Sequence, residues 1–161
     1  MTTLPGQRYD EYGFVVAAKG PRPEVHRGAT ILMIGGAGFV VGAFLPWYQA
    51  GSLRLTGMDT FINNDGTDFV KPGVIWIVLG AILLALGAVS FFAARHLAVA
   101  VAAVVVAVVG VFASLIGVGV AKSQHDNTGG VGDAGPGAFV GIIAILVALA
   151  GSVHILSKRR R

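Results

Sequence analysis

The stretch GATILMIGGAGFVVGAFLPWY, residues 28–48, decides the fold of this chain. It carries no charge, and a helix of about 20 apolar residues crosses roughly 30 Å of hydrocarbon. It ends at Pro46, which stops or kinks a helix, and at Trp47 and Tyr48, whose amphipathic rings favour the headgroup zone of a bilayer. The stretch therefore predicts a membrane-spanning helix that leaves the bilayer at its aromatic end.

Three further uncharged runs follow this stretch, and the 12 basic and 8 acidic residues all lie outside the four runs or at their edges. Because backbone polar groups in lipid have to be bonded within their own segment, each run is predicted as an α-helix. We predict an all-α protein, an integral membrane four-helix bundle with a segment before it and a basic tail after it. The predicted bounds are 1–27 for the segment, 28–48, 73–94, 97–121 and 137–157 for the spans, 49–72 and 122–136 for the polar loops, and 158–161 for the tail.

The composition agrees with a membrane protein. Hydrophobic residues make up 55% of the chain and charged residues 12%, against roughly 25% charged residues in soluble domains. The sequence has no cysteine, which excludes disulfides, thiolate metal sites, iron–sulfur clusters and a cysteine nucleophile in this chain. Its basic residues lie beside the apolar runs and form no stripe with interleaved aromatic residues, so we expect no nucleic-acid partner.

The basic residues also predict how the chain is threaded. Nine of them lie in the segment 1–27, at Arg95 and in the tail, whereas only Arg54, Lys71 and Lys122 lie on the other side. Because cytoplasmic loops carry an excess of Lys and Arg, we expect both termini in the cytoplasm and both polar loops outside a bacterial plasma (inner) membrane. The predicted membrane-interface anchors are Trp47, Tyr48, Trp76, Lys158 and Arg159.

Each predicted span carries a stripe of small residues. Lipid is as apolar as a leucine side chain, so membrane helices associate where small residues let their backbones approach. Spacings of three and four place such residues on one face of a helix. The stripes favour a tight bundle, and some of them could face a second copy or a partner subunit. The predicted packing positions are Gly35, Gly38, Gly42, Gly73, Gly80, Gly87, Ala107, Gly110, Ser114, Gly117, Gly141, Ala144, Ala148 and Gly151.

The residues predict no catalytic, cofactor-binding or metal site. No Asp, Glu, Lys or Arg lies inside a span, which counts against a proton relay or a charge-lined pathway; His154 is the one titratable side chain there. His125 and Asp126 lack metal-ligand spacing, and the run Asn63–Asp68 lacks the closing acidic residue of a calcium loop. We therefore expect that the chain is not an enzyme and holds no cofactor.

Several short motifs resemble a known kind of protein. They are Leu45-Pro46-Trp47-Tyr48 at the exit of the first span, Leu55-Thr56-Gly57 and Asp65-Gly66 in the loop, and the glycine-rich second span. Over residues 28–94 the chain resembles small four-span membrane proteins of actinobacteria, many of them uncharacterised, and is similar to the family found beside tryptophan-biosynthesis operons. The resemblance implies a fold and a membrane location but no catalytic residue. The plan is also similar to that of claudins, whose first outer loop bears a cysteine pair that this chain lacks.

The loop 49–72 is too long for a minimal hairpin connection, which indicates structure or function within it. Leu53, Leu55 and Phe61 could form a small folded cap there. The predicted contact surface of this loop consists of Arg54, Asp59, Asp65 and Asp68.

The leading hypothesis is a non-catalytic integral membrane protein that acts through helix packing and loop contacts, such as an accessory subunit of a larger membrane complex. Its expected partners are the lipid bilayer and either another protein or a second copy of the chain. The alternative is a small transporter or channel for a neutral or apolar solute, with a pathway between protomers past His154. A third hypothesis, an enzyme acting on a lipid at the outer face, requires the loop carboxylates and His125 to converge.

Overall fold

The computed structural model describes residues 8–9, 15–16, 23–61, 71–92, 97–127, 129–130 and 132–159. Most of the described residues are helical, and every one of the long helices is long and apolar enough to cross a membrane by length and composition. The prediction of a mostly helical protein with four such helices is confirmed. The helices are α1 (Pro23–Phe44), α2 (Pro72–Phe92), α3 (Leu97–Asn127) and α4 (Pro136–Arg159).

Prolines set most of the helix boundaries. Three helices, α1, α2 and α4, begin with a proline, whose fixed φ suits the first helical position, where no intrahelical N–H bond is lost. The first helix ends at Phe44 because Pro46 disfavours the helical conformation at the residue before it. Helix α3 continues past the predicted span to Asn127, since residues such as Lys and Gln end an apolar run without ending a helix.

Helix α1 lies between α2 and α4 and approaches the backbone of both. A Cβ atom built on Gly35 would lie 2.6 Å from the carbonyl oxygen of Ala144 in α4. A Cβ atom on Gly36 would lie 3.0 Å from the carbonyl oxygen of Gly80 in α2. Helix α3 packs against α2 and α4 and so completes a four-helix bundle whose closest approaches depend on glycine.

Within the described residues, five short strands accompany the helices of this mostly helical protein, and the sequence analysis did not predict them. β1 (Arg8–Tyr9) and β2 (Val15–Val16) form a two-stranded ribbon. β3 (Pro46–Ala50), β4 (Leu53–Thr56) and β5 (Asp133–Ala134) form an antiparallel sheet in the order β4-β3-β5. Residues 46–48, predicted as the end of the first span, therefore belong to a strand. We call this sheet, together with residues 57–61, the cap.

Candidate functional site at the cap

Aromatic side chains form the core beneath the cap. The ring centroids of Trp47 and Trp76 are 4.2 Å apart, those of Phe39 and Trp76 are 4.5 Å apart, and those of Trp47 and Phe61 are 6.3 Å apart. Tyr48 and these four side chains are at most 1% exposed. Large aromatic rings dominate the energetics of a core because each buries about 150–250 Å². The cluster therefore joins α1 and α2 to the sheet.

The predicted interface anchors Trp47, Tyr48 and Trp76 face protein and not lipid. Their exposure of 0–1% leaves no ring surface for headgroups, so the anchor prediction is wrong for these three residues. Aromatic residues at the end of an apolar run occupy the same sequence position whether they face lipid or a folded cap. Of the two basic anchors, Lys158 is partly buried, and the side chain of Arg159 lies outside the described residues.

Glycines from three elements enclose the two indole rings. A Cβ atom on Gly117 of α3 would lie 2.7 Å from Cζ3 of Trp47, and one on Gly57, after β4, would lie 2.8 Å from Cε2 of Trp47. A Cβ atom on Gly141 of α4 would overlap the ring of Trp76. Sequence reasoning placed Gly117 and Gly141 against other helices. The structure places Gly141 against Trp76 of α2 and against Gly42 of α1, and it places Gly117 against Trp47 of β3 as well as Trp76.

The remaining predicted packing positions also lie at contacts. Gly73 meets the cap instead of another helix, and its N–H donates to the carbonyl oxygen of Gly57 at 2.6 Å. The hydroxyl of Ser114 donates to the carbonyl oxygen of Gly110 within α3. Sequence reasoning missed Gly36, which contacts α2 while its neighbour contacts α4. The other predicted positions are buried or contact a neighbouring helix: Gly35, Gly38, Gly42, Gly80, Gly87, Ala107, Gly110, Ala144, Ala148 and Gly151.

Hydrogen bonds hold the cap in one conformation. The carboxylate of Asp59 accepts hydrogen bonds from the backbone N–H of Thr56 at 2.7 Å and from its hydroxyl at 2.9 Å. The N–H of Gly135 donates to the carbonyl oxygen of Trp47 at 2.7 Å. The indole N–H of Trp47 donates to the carbonyl oxygen of Gly42 at 2.9 Å. Asp59, predicted as a contact residue, is exposed and also fixes the turn after β4.

Strand β4 forms an exposed edge of the cap. Within the described part of the chain it pairs with β3 alone, and Leu53 is 48% exposed beside the exposed Arg54. An edge strand presents backbone donors and acceptors with which another chain can pair. The predicted contact residues Asp65 and Asp68, and the run Asn63–Asp68, lie outside the described residues.

A cavity of about 290 Å³ lies beside the cap, between α3, α4 and β5. It is lined mainly by apolar side chains, and its polar residues come from the end of α3 and from the segment that leads into β5. Sequence reasoning missed this cavity because its walls are separated by a loop in the sequence. The lining residues are Val118, Ala121, Lys122, His125, Gly132, Asp133, Ala134, Ala138, Phe139 and Ile142.

His125 fixes the connection between α3 and β5. Its Nδ1 lies 2.6 Å from the carbonyl oxygen of Gly132, and its own carbonyl oxygen accepts a hydrogen bond from the N–H of Gly130 at 3.0 Å. Gly130 and Gly132 both have positive φ angles, which glycine adopts without steric cost. Within the described ranges, no three His, Cys, Asp or Glu residues are grouped to hold a metal ion.

The opposite end of the bundle contains His154, the residue of the alternative transport hypothesis. Its Nε2 atom and the hydroxyl of Ser90 are buried without a hydrogen-bond partner among the described residues. A Cβ atom on Gly28 would lie 3.1 Å from Cδ2 of His154, so the imidazole packs against the start of α1. His154 therefore belongs to the contact between α4 and α1.

Comparison with known proteins identifies a family. Residues 17–161 match the family described as the MiaB C-terminal domain. The chain belongs to this family. No curated protein and no solved structure matches the chain. The MiaB C-terminal domain family is linked to radical SAM methylthiotransferases, a class of enzymes.

Membership of the MiaB C-terminal domain family corrects one prediction. From its residues we expected that the chain is not an enzyme, and a family linked to enzymes contradicts that expectation. The iron–sulfur cluster of such enzymes is held by cysteine thiolates, and this sequence has no cysteine. The residues of this chain therefore do not fit the cluster. The resemblance to the four-span proteins of actinobacteria stays a prediction.

Proposed function

We propose that the chain is an integral membrane protein of a bacterial plasma membrane, with both termini in the cytoplasm and the cap on the outer side. The length and apolar composition of the four helices support insertion. The distribution of Lys and Arg supports the orientation, because nine of the 12 lie on the side of the termini and cytoplasmic segments carry such an excess.

In this proposal the protein is an accessory subunit of a larger membrane complex and binds a protein partner through the cap. The observation that carries the proposal is the exposed edge of β4 on a rigid base. Buried tryptophans and backbone hydrogen bonds fix the sheet, so little conformational entropy is lost when a partner pairs with it. Leu53 and Arg54 supply an apolar and a charged contact beside that edge.

The family favours an enzyme as the larger complex. Because the MiaB C-terminal domain family is linked to enzymes, a complex served by this subunit would contain a catalytic centre. Where that centre includes an iron–sulfur cluster, its cysteine ligands come from outside this sequence, which has none.

The interior of the bundle supports partner binding over a transport pathway within one copy of the chain. Backbone contacts between Gly35 and α4, and between Gly36 and α2, leave no passage along α1 at these positions. A transport pathway past His154 would also have to open the contact between this residue and the start of α1.

A photo-crosslinking amino acid at Ser52, an exposed residue next to β4, tests the proposal in native membranes. We expect one discrete adduct with another protein, and we expect Arg54→Glu to weaken it. The first matched control is the same crosslinker at Phe112, 62% exposed on α3, which should give no such adduct. The second is Lys71→Glu, which should leave the adduct at Ser52 unchanged. An adduct only with a second copy of the chain, or equal labelling from both sites, would refute the accessory-subunit proposal.

A further inference from the structure

The cavity between α3, α4 and β5 is lined mainly by apolar side chains, and two exposed lining residues carry opposite charges. Val118, Phe139 and Ile142 belong to the apolar helical segments. Lys122 and Asp133 are both exposed, and within the described residues they form no ion pair with each other. A site of this kind suits an amphipathic ligand that carries both a negative and a positive group.

The charged part of the cavity lining is held in place by the fold. Asp133 lies opposite Gln49 in the sheet and Ala134 lies opposite Tyr48, which fixes β5 against β3. The hydrogen-bond contact between His125 and Gly132 holds the start of this segment against α3. The backbone segments that carry the two charges, in α3 and β5, are therefore held next to the cavity.

We propose that the cavity binds phosphatidylethanolamine, a zwitterionic phospholipid. Its phosphate lies next to Lys122, its ammonium group donates hydrogen bonds to Asp133, and the upper part of one acyl chain packs on Val118, Phe139 and Ile142. The inference rests on the membrane placement proposed above and does not depend on the protein partner of the cap.

Size and charge both select this lipid. A volume of about 290 Å³ is at the lower end of ligand pockets, roughly 300–1,000 Å³, so the cavity accommodates a headgroup and the start of a chain. The rest of the lipid's acyl chain lies on the exposed surface of α3 and α4, where Leu115 is 61% and Ile143 is 62% exposed. An anionic lipid lacks a cation for Asp133 and adds negative charge beside it and beside Asp126, one turn after Lys122.

Native mass spectrometry of the purified full chain, with equal amounts of phosphatidylethanolamine and phosphatidylglycerol, tests the proposal. We expect about fivefold more retained phosphatidylethanolamine, the effect of an exposed charge pair at the upper end of its usual range. Asp133→Asn should remove the preference, and Lys122→Gln should lower retention of both lipids. Ala134→Trp should fill the cavity and lower retention without changing a charge.

Lys71→Gln is the matched control, because it removes an exposed cation outside the cavity and should leave the preference unchanged. Equal retention of the two lipids by the unaltered chain would overturn the proposal, even if a variant failed to fold. A preference for phosphatidylethanolamine that survives Asp133→Asn would also overturn the proposal. So would a preference that Lys71→Gln reduces as much as Asp133→Asn does. Carbonate extraction of membranes separates the two proposals: extraction of the chain refutes its membrane placement, whereas a retained chain without lipid preference refutes only the lipid site.

Discussion

Replacement of Gly35 by alanine should separate α1 from α4. The added Cβ atom would lie 2.6 Å from the carbonyl oxygen of Ala144 and 2.7 Å from Cα of Ala148. Both are backbone atoms, so no side-chain rotation relieves the overlap and a helix has to move. Overpacking of this kind costs about 1–3 kcal/mol, and the gain in helix propensity from glycine to alanine offsets about 1 kcal/mol of it. We expect a net loss of up to roughly 2 kcal/mol in the free energy of unfolding.

Gly119→Ala is the matched control, because no atom lies within 4 Å of a Cβ built at Gly119. This substitution makes the same chemical change in a helix and should stabilise the chain by up to about 1 kcal/mol. Gly38→Ala should fall between the two, since its Cβ would meet the side chain of Ala144 at 2.9 Å. Unfolding in mixed micelles, followed by helical circular dichroism and tryptophan fluorescence, measures all three. A Gly35→Ala chain as stable as the Gly119→Ala chain would show that α1 and α4 are not in backbone contact.

Three further predictions concern the cap and the threading of the chain. Trp47→Phe should lower the free energy of unfolding by about 1–3 kcal/mol, because it removes the hydrogen bond to Gly42 and part of a buried ring; micelle unfolding measures this. Asp59→Ala should cost about 1 kcal/mol in the same assay, since Thr56 loses two hydrogen bonds at an exposed turn. Reporter fusions after Arg161 and between residues 62 and 70 should report opposite sides of the membrane.

Each of these predictions has a control. Phe112→Leu changes an exposed aromatic residue and should leave stability unchanged, so an equal effect of Trp47→Phe would argue against the buried cluster. Asp59→Asn keeps one acceptor oxygen and should cost less than Asp59→Ala; the reverse order would contradict the assigned hydrogen bonds. Reporters active on the same side at both sites would contradict the proposed threading.

The helices could be predicted from sequence because their signal is local. An uncharged run of about 20 residues indicates a membrane helix by itself, and the structure has a helix at each such run. The small-residue stripes indicated close packing but not the neighbour at each position. Gly35 and Gly36 are adjacent in sequence and contact α4 and α2 respectively, a difference that depends on the rotation of the helix in the bundle.

The cap and the cavity could not be predicted because they depend on pairings between distant residues. Strand β5 has two residues, too few for a strand pattern, and it exists because it pairs with Tyr48 and Gln49. Trp47 and Trp76 lie at the ends of apolar runs, as residues that face headgroups do. They are buried because the sheet and the surrounding glycines pack against their rings. The lining of the cavity likewise combines Lys122 with Asp133 from the far side of a loop.

The sheet has a consequence for biosynthesis. Its central strand, β3, leaves the ribosome directly after α1, whereas β5 follows only after α2 and α3 have been made. Trp47 lacks Gly117 against its ring until α3 has been made, and Gly137 and Gly141 reach Trp47 and Trp76 only with α4. A nascent chain that stops after α2 therefore exposes two indoles and an open strand edge. The arrival of β5 covers the edge, and α3 and α4 complete the cover of the indoles. This end of the bundle therefore stays incomplete throughout the synthesis of α3.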